Sequence, residues 1–372
     1  MHIKDLIKRI DIGLLLLMLV MVTIGIIAIN SATAYQGDTK NLQKQIMFFI
    51  VGVVLMLIIM CIDYHILANW YLVIYGGMIV LLVAVFFMGE NVNGATRWIK
   101  IAGVQIQPSE FTKIGMILCG ATIINKYNNR INQLWPILII GAFEFLPFFL
   151  VNRQPNLSTS IVILVILVIQ LFISKLNIRY IMTTAVVGLL VVIIAFVYIV
   201  KNPEQKLIQD YQRDRIMSVV NGGDVTADKY QTRHAVQAIG SGGLYGKGLH
   251  QGSISQLNYL PESHNDFIMA VIGEEFGFVG TMSVVILLLA FVFRGLWIAR
   301  GAPDELGRLI VAGYMGMIAV QAFVNMGVVT DFLPNTGITI PFISYGGSSL
   351  WANMMGLSLA LNVAMRKEEK MF

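Results

Sequence analysis

Charged residues inside apolar stretches are the first features of this chain that could do chemistry. Glu110 and Lys113 lie three residues apart near the start of one stretch, where they share a helix face and can neutralise each other. Glu144, Glu274 and Glu275 lie within other apolar stretches. A charge in lipid is costly, so it usually faces the interior of a helix bundle or a cavity. We therefore interpret the pair as a buried ion pair or a functional site, and the three glutamates as packing contacts or parts of a proton or substrate pathway.

A second polar cluster lies immediately before an apolar stretch. Residues 259–266 contain Glu262, His264 and Asp266, which would lie together at the mouth of the helix that follows. Aspartate commonly caps the first turn of a helix, and a carboxylate in such a cluster can also act as a general base. From the residues alone the capping role is favoured for Asp266, since a helix N-terminus stabilises the ionised carboxylate and so weakens it as a base.

The glycine-rich segment 240–248 contains Lys247 and invites comparison with a phosphate-binding loop. Its spacing does not fit that motif, because Gly248 follows the lysine where Ser or Thr is needed. The segment is therefore either a flexible turn or a set of backbone amides that could meet a phosphate together with Lys247.

Two further segments are predicted to wall a polar cleft. The loop 89–110 contains Arg97, and the segment 331–349 contains Ser344 and Ser348. The second segment has too much Pro, Gly and Ser to be a continuous helix at membrane depth, and such backbone is tolerated only where it is buried in protein or lines a cavity. We expect both segments to meet the mouth of the helix that follows Asp266.

The elements that must position these residues are membrane helices. The chain has 372 residues, 57% of them hydrophobic and 13% charged, with a mean hydropathy of +0.75. Soluble domains contain about 25% charged residues, so a soluble enzyme is excluded. A helix needs about 20 apolar residues to cross a bilayer, and the runs predict an all-α polytopic membrane protein with about ten transmembrane helices. The runs are approximately 11–31, 45–62, 71–88, 111–124, 134–151, 159–174, 180–200, 267–293, 308–330 and 345–365.

The distribution of basic residues predicts the orientation. Cytoplasmic loops carry the excess of positive charge, and half of the 26 Lys and Arg residues lie on one side if both termini are cytoplasmic. The chain 1–372 is then a single membrane domain, with seven spans in 1–200, a large structured extracytoplasmic loop at 201–265, and three spans and a short tail in 266–372. Residues 208–219 within this loop have the pattern of a helix at the membrane surface. The net charge of +5 follows mainly from topology and implies no nucleic-acid partner.

Four strings from these segments resemble a known family. They are NGATRWIKIAGVQIQPSEFTK (93–113), AIGSGGLYGKG (238–248), LPESHNDFIMAVIGEEFGFVG (260–280) and GITIPFISYGGSS (337–349). The strings are long and follow the family's order along nearly the whole chain. The chain is accordingly identified as a member of the shape, elongation, division and sporulation (SEDS) family, which includes RodA, FtsW and SpoVE. The stretches 210–216 and 252–262 are closer to RodA, whereas the stretch 335–350 resembles FtsW or SpoVE at least as much, and the chain as a whole is placed closest to RodA.

The resemblance implies an activity and a partner. Members of this family polymerise lipid II, an undecaprenyl diphosphate-linked disaccharide-pentapeptide, into peptidoglycan glycan strands at the outer face of the cytoplasmic membrane. It also implies operation with a class B penicillin-binding protein that cross-links the strands, within an elongation or division complex. No cofactor is required by the pattern, although a divalent cation could share the task of neutralising the diphosphate.

The resemblance also implies roles for single residues. Asp266 would be the general base that takes the proton from the 4-hydroxyl of the acceptor sugar. Arg97, Lys113 and Lys247 would meet the diphosphate, and Glu110 would hold Lys113 in place. Further candidate substrate-binding residues are Glu262, His264, Ser344 and Ser348.

Three positions depart from the family's pattern. Asn156 stands where Asp is usual, Asn265 where Thr is usual, and Thr339 where Pro is common. If the missing Asp normally binds a metal or orients a base, this protein would be slower, more dependent on its partner, or specialised. Two other functions stay open, namely a lipid II transporter that uses the glutamates within the spans, and a non-enzymatic scaffold that recruits a synthase.

Overall fold

The computed structural model describes residues 8–34, 39–92, 95–101, 103–154, 156–202, 227–257, 259–261 and 263–367. The predicted surface helix at 208–219 and the predicted site residue Glu262 lie outside these residues. The helices and strands are α1 (Ile12–Ala32), α2 (Lys40–Cys61), α3 (Tyr64–Asn69), α4 (Tyr71–Met88), β1 (Glu90–Val92), β2 (Ala95–Ile101), β3 (Val104–Ile106), α5 (Pro108–Tyr127), α6 (Leu134–Arg153), α7 (Leu157–Ile173), α8 (Ile178–Lys201), α9 (Ala227–Ser241), α10 (Ser253–Gln256), α11 (Ile268–Arg300), α12 (Glu305–Val329) and α13 (Gly347–Met365), with a 3₁₀ turn at Asn128–Arg130.

The apolar runs coincide with helices. Seven helices in the described part of the chain are long and apolar enough to cross a membrane, and they are α1, α2, α4, α6, α8, α11 and α12. Helix α7 is also apolar but has 17 residues. The remaining two runs correspond to α5 and α13, which are more polar. The protein is therefore a mostly helical, multi-pass membrane protein.

The more polar helices lie at the centre of the bundle. Helices α5, α12 and α13 bury side chains around most of their circumference, whereas only 7% of the most apolar part of α8 is buried. Amide, hydroxyl and charged side chains are tolerated at membrane depth where other protein groups surround them. Burial thus explains why α5 can carry Glu110 and Lys113 within a membrane protein.

A three-stranded antiparallel sheet occupies the segment predicted as a loop between α4 and α5. The central strand β2 pairs Trp98 with Glu90 of β1 and Ile99 with Ile106 of β3. Side chains alternate along β2, so that buried Ile99 is followed by exposed Lys100. The loop interpretation of this segment was wrong because the two outer strands have only three residues each, too few for an alternating pattern to stand out.

Helix α11 is interrupted at Gly277, where the glycine-rich segment 242–248 packs into the break. Gly277 has φ 66° and ψ −158°, and the neighbouring backbone groups bond to the inserted segment instead of to the helix. These bonds run from the amides of Lys247, Gly248, Phe278 and Val279 to the carbonyl oxygens of Glu274, Glu275, Gly243 and Leu244, at 3.0, 3.0, 2.9 and 3.1 Å respectively. The amides of Lys247 and Gly248 are therefore committed to α11, and the interpretation of this segment as a phosphate-binding set of amides was wrong.

Replacing Gly277 by alanine is expected to destabilise the protein. Its backbone angles are essentially restricted to glycine, and a Cβ atom would lie 2.7 Å from the carbonyl oxygen of Leu244. We expect a loss of at least about 1–3 kcal/mol in the free energy of unfolding, measured by thermal unfolding in detergent. Gly77→Ala is the matched control, because no atom lies within 4 Å of a Cβ built there. Equal melting temperatures for the two variants would contradict the inserted arrangement.

The His65 side chain lies between two carboxylates at the end of the bundle opposite the sheet. Its Nδ1 is 2.9 Å from Asp63 Oδ1 and its Nε2 is 2.6 Å from Asp304 Oδ2. Asp304 also caps α12 by accepting from the Gly307 amide, and Asp63 accepts from Arg366 Nε at 2.8 Å. The cluster joins the turn between α2 and α3 to the start of α12 and the end of α13.

This cluster predicts a pH-dependent stability. Burial alone would lower the pKa of His65, but hydrogen bonds to Asp63 and Asp304 and their negative charges raise it above its ordinary value of 6.5. A group whose pKa is raised by folding stabilises the fold fully below its unfolded pKa and loses that contribution as the pH rises through the folded value. We therefore expect the melting temperature of the wild type, relative to that of His65→Gln, to fall as the pH rises above about 6.5, the ordinary pKa of histidine.

The size of this effect is limited by solvent. The His65 side chain is 50% exposed, so the difference in the free energy of unfolding should stay below about 1 kcal/mol. Thermal unfolding of both proteins across the pH range measures it, and a difference that does not change with pH would contradict the protonated histidine.

Candidate active site

The predicted polar segments meet in one cleft of about 620 Å³. Its walls are the sheet with the N-terminus of α5, the turn before α11, the segment 337–349, the N-terminal part of α2, and residues of α7 and α12. The sequence-predicted residues that line it are Arg97, Glu110, Lys113, His264, Asp266 and Ser348. The cleft therefore brings together residues that are more than 160 positions apart in the chain.

Asp266 lies in the turn that leads into α11. The N-cap residue of this helix is Phe267, so Asp266 stands one position before the cap and the capping interpretation was wrong. Its backbone carbonyl accepts from Asn325 Nδ2 at 2.8 Å. Its Oδ2 lies against Gly337, 3.4 Å from where a Cβ would be. The carboxylate thus lines the cleft, and α12 holds its backbone.

Glu110 and Lys113 form an ion pair in the wall of the cleft. Lys113 Nζ donates to Glu110 Oε2 at 2.8 Å, and the two side chains are only 3% and 10% exposed. The α5 helix begins with Pro108 at its first position, where proline costs no hydrogen bond, so both residues fall in the first two turns. The sequence allowed two interpretations, a buried ion pair and a functional site. The geometry is compatible with both at once.

Ser348 and His264 connect walls of the cleft. The Ser348 hydroxyl accepts from the backbone amide of Gln107 at 2.9 Å and so joins α13 to α5. The backbone carbonyl of His264 accepts from the amide of Tyr345 at 2.9 Å, and the two rings pack at 5.2 Å. These contacts fix the turn before α11 against the start of α13.

Two other predicted site residues lie elsewhere. The Ser344 hydroxyl is buried and accepts from the Ile340 amide at 2.9 Å, which shapes the segment before α13. Lys247 Nζ donates to Glu274 Oε1 at 2.7 Å and to Ser253 at 2.9 Å. Neither side chain lines the cleft, and their roles as diphosphate or substrate contacts stay predictions.

The glutamates within the helices differ in their surroundings. Glu274 is fully buried and accepts from the backbone amides of Ile254 and Ser255, as well as from Lys247. Glu275 accepts from the Ser31 hydroxyl at 2.6 Å. Glu144 is 4% exposed, and its Oε1 has no hydrogen-bond partner in the described residues. The first two therefore fit the packing interpretation.

Three of the cleft residues that sequence analysis missed carry a charge or a buried amide. Lys44 and Lys100 line it next to Arg97, yet in the sequence they looked like ordinary basic residues beside a span. Gln321 of α12 also lines the cleft and is 1% exposed. A buried amide in the ninth apolar run was the available signal for Gln321, because such a group needs a partner.

The positions that depart from the family pattern have defined contacts. The Asn156 side chain caps α7 by accepting from the Thr159 amide, and its Nδ2 donates to Ser109 Oγ at 3.1 Å. It therefore links α7 to the residue before Glu110. The Thr339 hydroxyl pairs with Ser349 at 2.8 Å, and Asn265 lines the cleft.

The charges in the cleft suit an anion beside a reacting hydroxyl. Four cationic side chains line it, namely Lys44, Arg97, Lys100 and Lys113, against the carboxylates of Glu110 and Asp266. Cations on a partly enclosed wall favour phosphate groups, and a nearby carboxylate can accept a proton. No group of three or more His, Cys, Asp or Glu that could hold a metal ion occurs in the described ranges.

Comparisons with known proteins extend over nearly the whole chain. Residues 11–369 match the family of cell cycle proteins that comprises FtsW, RodA and SpoVE. The chain is 36% identical to the peptidoglycan glycosyltransferase MrdB of Escherichia coli, over 95% of this chain and 93% of that protein. It is 34% identical to the stage V sporulation protein E of Bacillus subtilis, over 95% and 96%. It is 33% identical to a probable peptidoglycan glycosyltransferase FtsW of Trichlorobacter lovleyi, over 95% and 93%.

Solved structures have the same fold. A structure described as the structural coordination of polymerization and crosslinking by a peptidoglycan synthase complex superposes with a TM-score of 0.82 at 27% identity, covering 97% of this chain and 99% of that chain. The rod shape determining protein RodA of Thermus thermophilus superposes with a TM-score of 0.71 at 26% identity, covering 97% and 98%. The sequence identities to the MrdB, FtsW and SpoVE relatives are similar, at 36%, 33% and 34%. The closer relationship to RodA therefore stays a prediction. This chain belongs to the FtsW/RodA/SpoVE family, the SEDS family whose strings its sequence contains.

Proposed function

We propose that this protein is a peptidoglycan glycosyltransferase that polymerises lipid II into glycan strands. The observation that carries the proposal is the cleft in which Asp266 lies on one wall and the buried Glu110–Lys113 pair on another. The names of the relatives, which include peptidoglycan glycosyltransferases FtsW and MrdB, support the same activity.

The proposed reaction is a single displacement at the anomeric carbon of the donor sugar. Asp266 takes the proton from the 4-hydroxyl of the acceptor sugar while that oxygen attacks the anomeric carbon. The bond from this carbon to the diphosphate oxygen breaks, and undecaprenyl diphosphate leaves with the electron pair. One attack inverts the configuration, so no second carboxylate has to act as a nucleophile. Lys113 and Arg97, together with Lys44 and Lys100, stabilise the charge of the leaving diphosphate.

The proposed topology follows the distribution of Lys and Arg. We place ten helices across the membrane, both termini in the cytoplasm, the segment 201–265 outside, and the cleft on the outer side. Residues 1–372 then form one membrane domain. A bacterial cytoplasmic membrane is the location expected for an enzyme that uses lipid II.

The proposed partner is a class B penicillin-binding protein. A glycan polymerase makes strands that need cross-linking, and the structural relative is a peptidoglycan synthase complex described as coordinating polymerization with crosslinking. The cellular role could be elongation, division or sporulation, since relatives of each kind are similar to this chain.

Polymerisation of purified lipid II tests the function directly. The protein is reconstituted in vesicles with its transpeptidase partner, a β-lactam blocks cross-linking, and glycan strands are resolved by gel electrophoresis. We expect strands from the complex and none from the partner alone. Translocation of fluorescent lipid II without strand formation would identify the protein as a transporter instead of an enzyme. If neither strands nor translocation is observed, the result would indicate a non-enzymatic scaffold.

A further inference from the structure

Gln321 is a buried amide in the cleft that makes no hydrogen bond with the residues that the structure describes. It lies on α12, its side chain lines the cleft, and the residue is 1% exposed. Among the described residues, its Oε1 is buried without a hydrogen-bond partner, and none of them forms a hydrogen bond with its Nε2. A buried polar group left unpaired is costly, so such a group in a native protein needs an explanation.

Other buried amides of this protein also have an oxygen without a partner among the described residues, but they use their NH₂ groups. Gln170 Nε2 donates to the Ile117 carbonyl at 2.7 Å, and Gln154 Nε2 donates to the Leu82 carbonyl at 2.8 Å. Asn325 donates to the carbonyls of Asp266 and Ile338 at 2.8 and 2.7 Å. These amides tie helices and turns together. Gln321 bonds to none of the described residues, so its amide is available to a molecule in the cleft.

The position of Gln321 relates it to the reacting group. Residues four apart lie on the same helix face, so Gln321 lies about 6 Å along the helix axis from Asn325. Asn325 holds the backbone of Asp266, and both Gln321 and Asp266 line the cleft. A bound molecule whose hydroxyl group is deprotonated by Asp266 would therefore have the part that carries this hydroxyl within reach of Gln321.

The surroundings of Gln321 indicate the chemistry of that moiety. The lysines and the arginine of the cleft belong to α2, the sheet and α5. The lining residues from α7 and from the segment 337–339 include the neutral residues Thr159, Val162, Ile338 and Thr339. A neutral amide offers one acceptor and two donors, which match hydroxyl and acetamido groups. A diphosphate would instead be expected beside the cations.

We propose that Gln321 binds the acceptor sugar of lipid II by hydrogen bonds to its hydroxyl or acetamido groups. This inference rests on the proposed function, and it assigns the α12 wall of the cleft to the sugar and the basic wall to the diphosphate. Gln321 would orient the 4-hydroxyl toward Asp266 without taking part in proton transfer.

The test separates a sugar contact from a structural role. Gln321→Met removes the amide at similar length and volume, and Gln321→Leu is assayed beside it. We expect the KM for lipid II to rise about 10-fold, while inhibition by undecaprenyl diphosphate, which lacks the sugar, is unchanged. The melting temperature should be equal to or higher than that of the wild type, because an unpaired buried amide is replaced by an apolar group.

Gln170→Met is the matched control. It removes a buried amide that bonds within the bundle, so it should lower the melting temperature and leave the KM of the folded protein unchanged. Wild-type kinetics for lipid II from Gln321→Met and Gln321→Leu would overturn the inference, and so would an equal loss of affinity for lipid II and undecaprenyl diphosphate. Absence of strands from the wild type would overturn the proposed function instead, so the two failures are distinguishable.

Discussion

Replacing Asp266 by asparagine is expected to lower the rate of lipid II polymerisation by about 10²- to 10⁴-fold, the range contributed by a general base. The substitution keeps the size of the side chain and removes its ability to accept the proton of the sugar hydroxyl. Because Asn325 holds the backbone carbonyl of Asp266 rather than its carboxylate, the turn before α11 should keep its conformation. Initial rates of strand formation and the melting temperature are the two measurements.

Asp331→Asn is the control for this experiment. Asp331 is an exposed carboxylate that follows α12, and its φ of 59° is one that asparagine also adopts readily. We expect wild-type activity and stability from this variant. Strand formation by Asp266→Asn at the wild-type rate would remove the general-base role of Asp266 and require another base in its place.

Replacing Lys113 by methionine is expected to cause the second large effect. The Glu110–Lys113 pair is almost completely buried, and removal of one member leaves an uncompensated buried charge, which costs about 3–5 kcal/mol of stability. We therefore expect a marked fall in melting temperature as well as a loss of polymerisation. This single variant alone would not distinguish a structural pair from a diphosphate contact.

The double variant Glu110→Leu/Lys113→Met makes that distinction. Replacing a buried ion pair by apolar residues of similar size is often neutral or stabilising, so the melting temperature should return toward that of the wild type. If Lys113 meets the diphosphate, activity should stay at least about 100-fold below wild type, as when a donor to a developing negative charge is lost. Recovery of both stability and activity would identify the pair as purely structural.

The helices could be predicted from the sequence because hydropathy is a local property. A run such as 71–88 must be covered by lipid or protein over its whole length, and it forms α4 with the same limits. Charge placement was informative for a similar reason. Since charge within a membrane helix is costly, Glu110 and Lys113 could be singled out, and they do lie in the cleft wall.

Partners of single side chains could not be predicted in this way. Lys247 looked like a phosphate contact, but the break in α11 at Gly277 brings it to Glu274. Asp266 looked like a helix cap, but the helical angles begin one residue later, after Phe267. In each case a single backbone feature, whose position depends on packing between distant segments, changes what the side chain can touch.

By itself, the sequence determined that this is a multi-pass membrane protein with a polar cleft made by the segments around 97, 266 and 348, because insertion into lipid constrains every residue of a span. The tertiary structure alone decided which cations share that cleft and that Gln321 has no hydrogen-bond partner among the described residues. Those outcomes depend on the packing of α2, α5, α12 and the sheet against one another, and contacts between elements so far apart in the chain leave no local pattern in the residues.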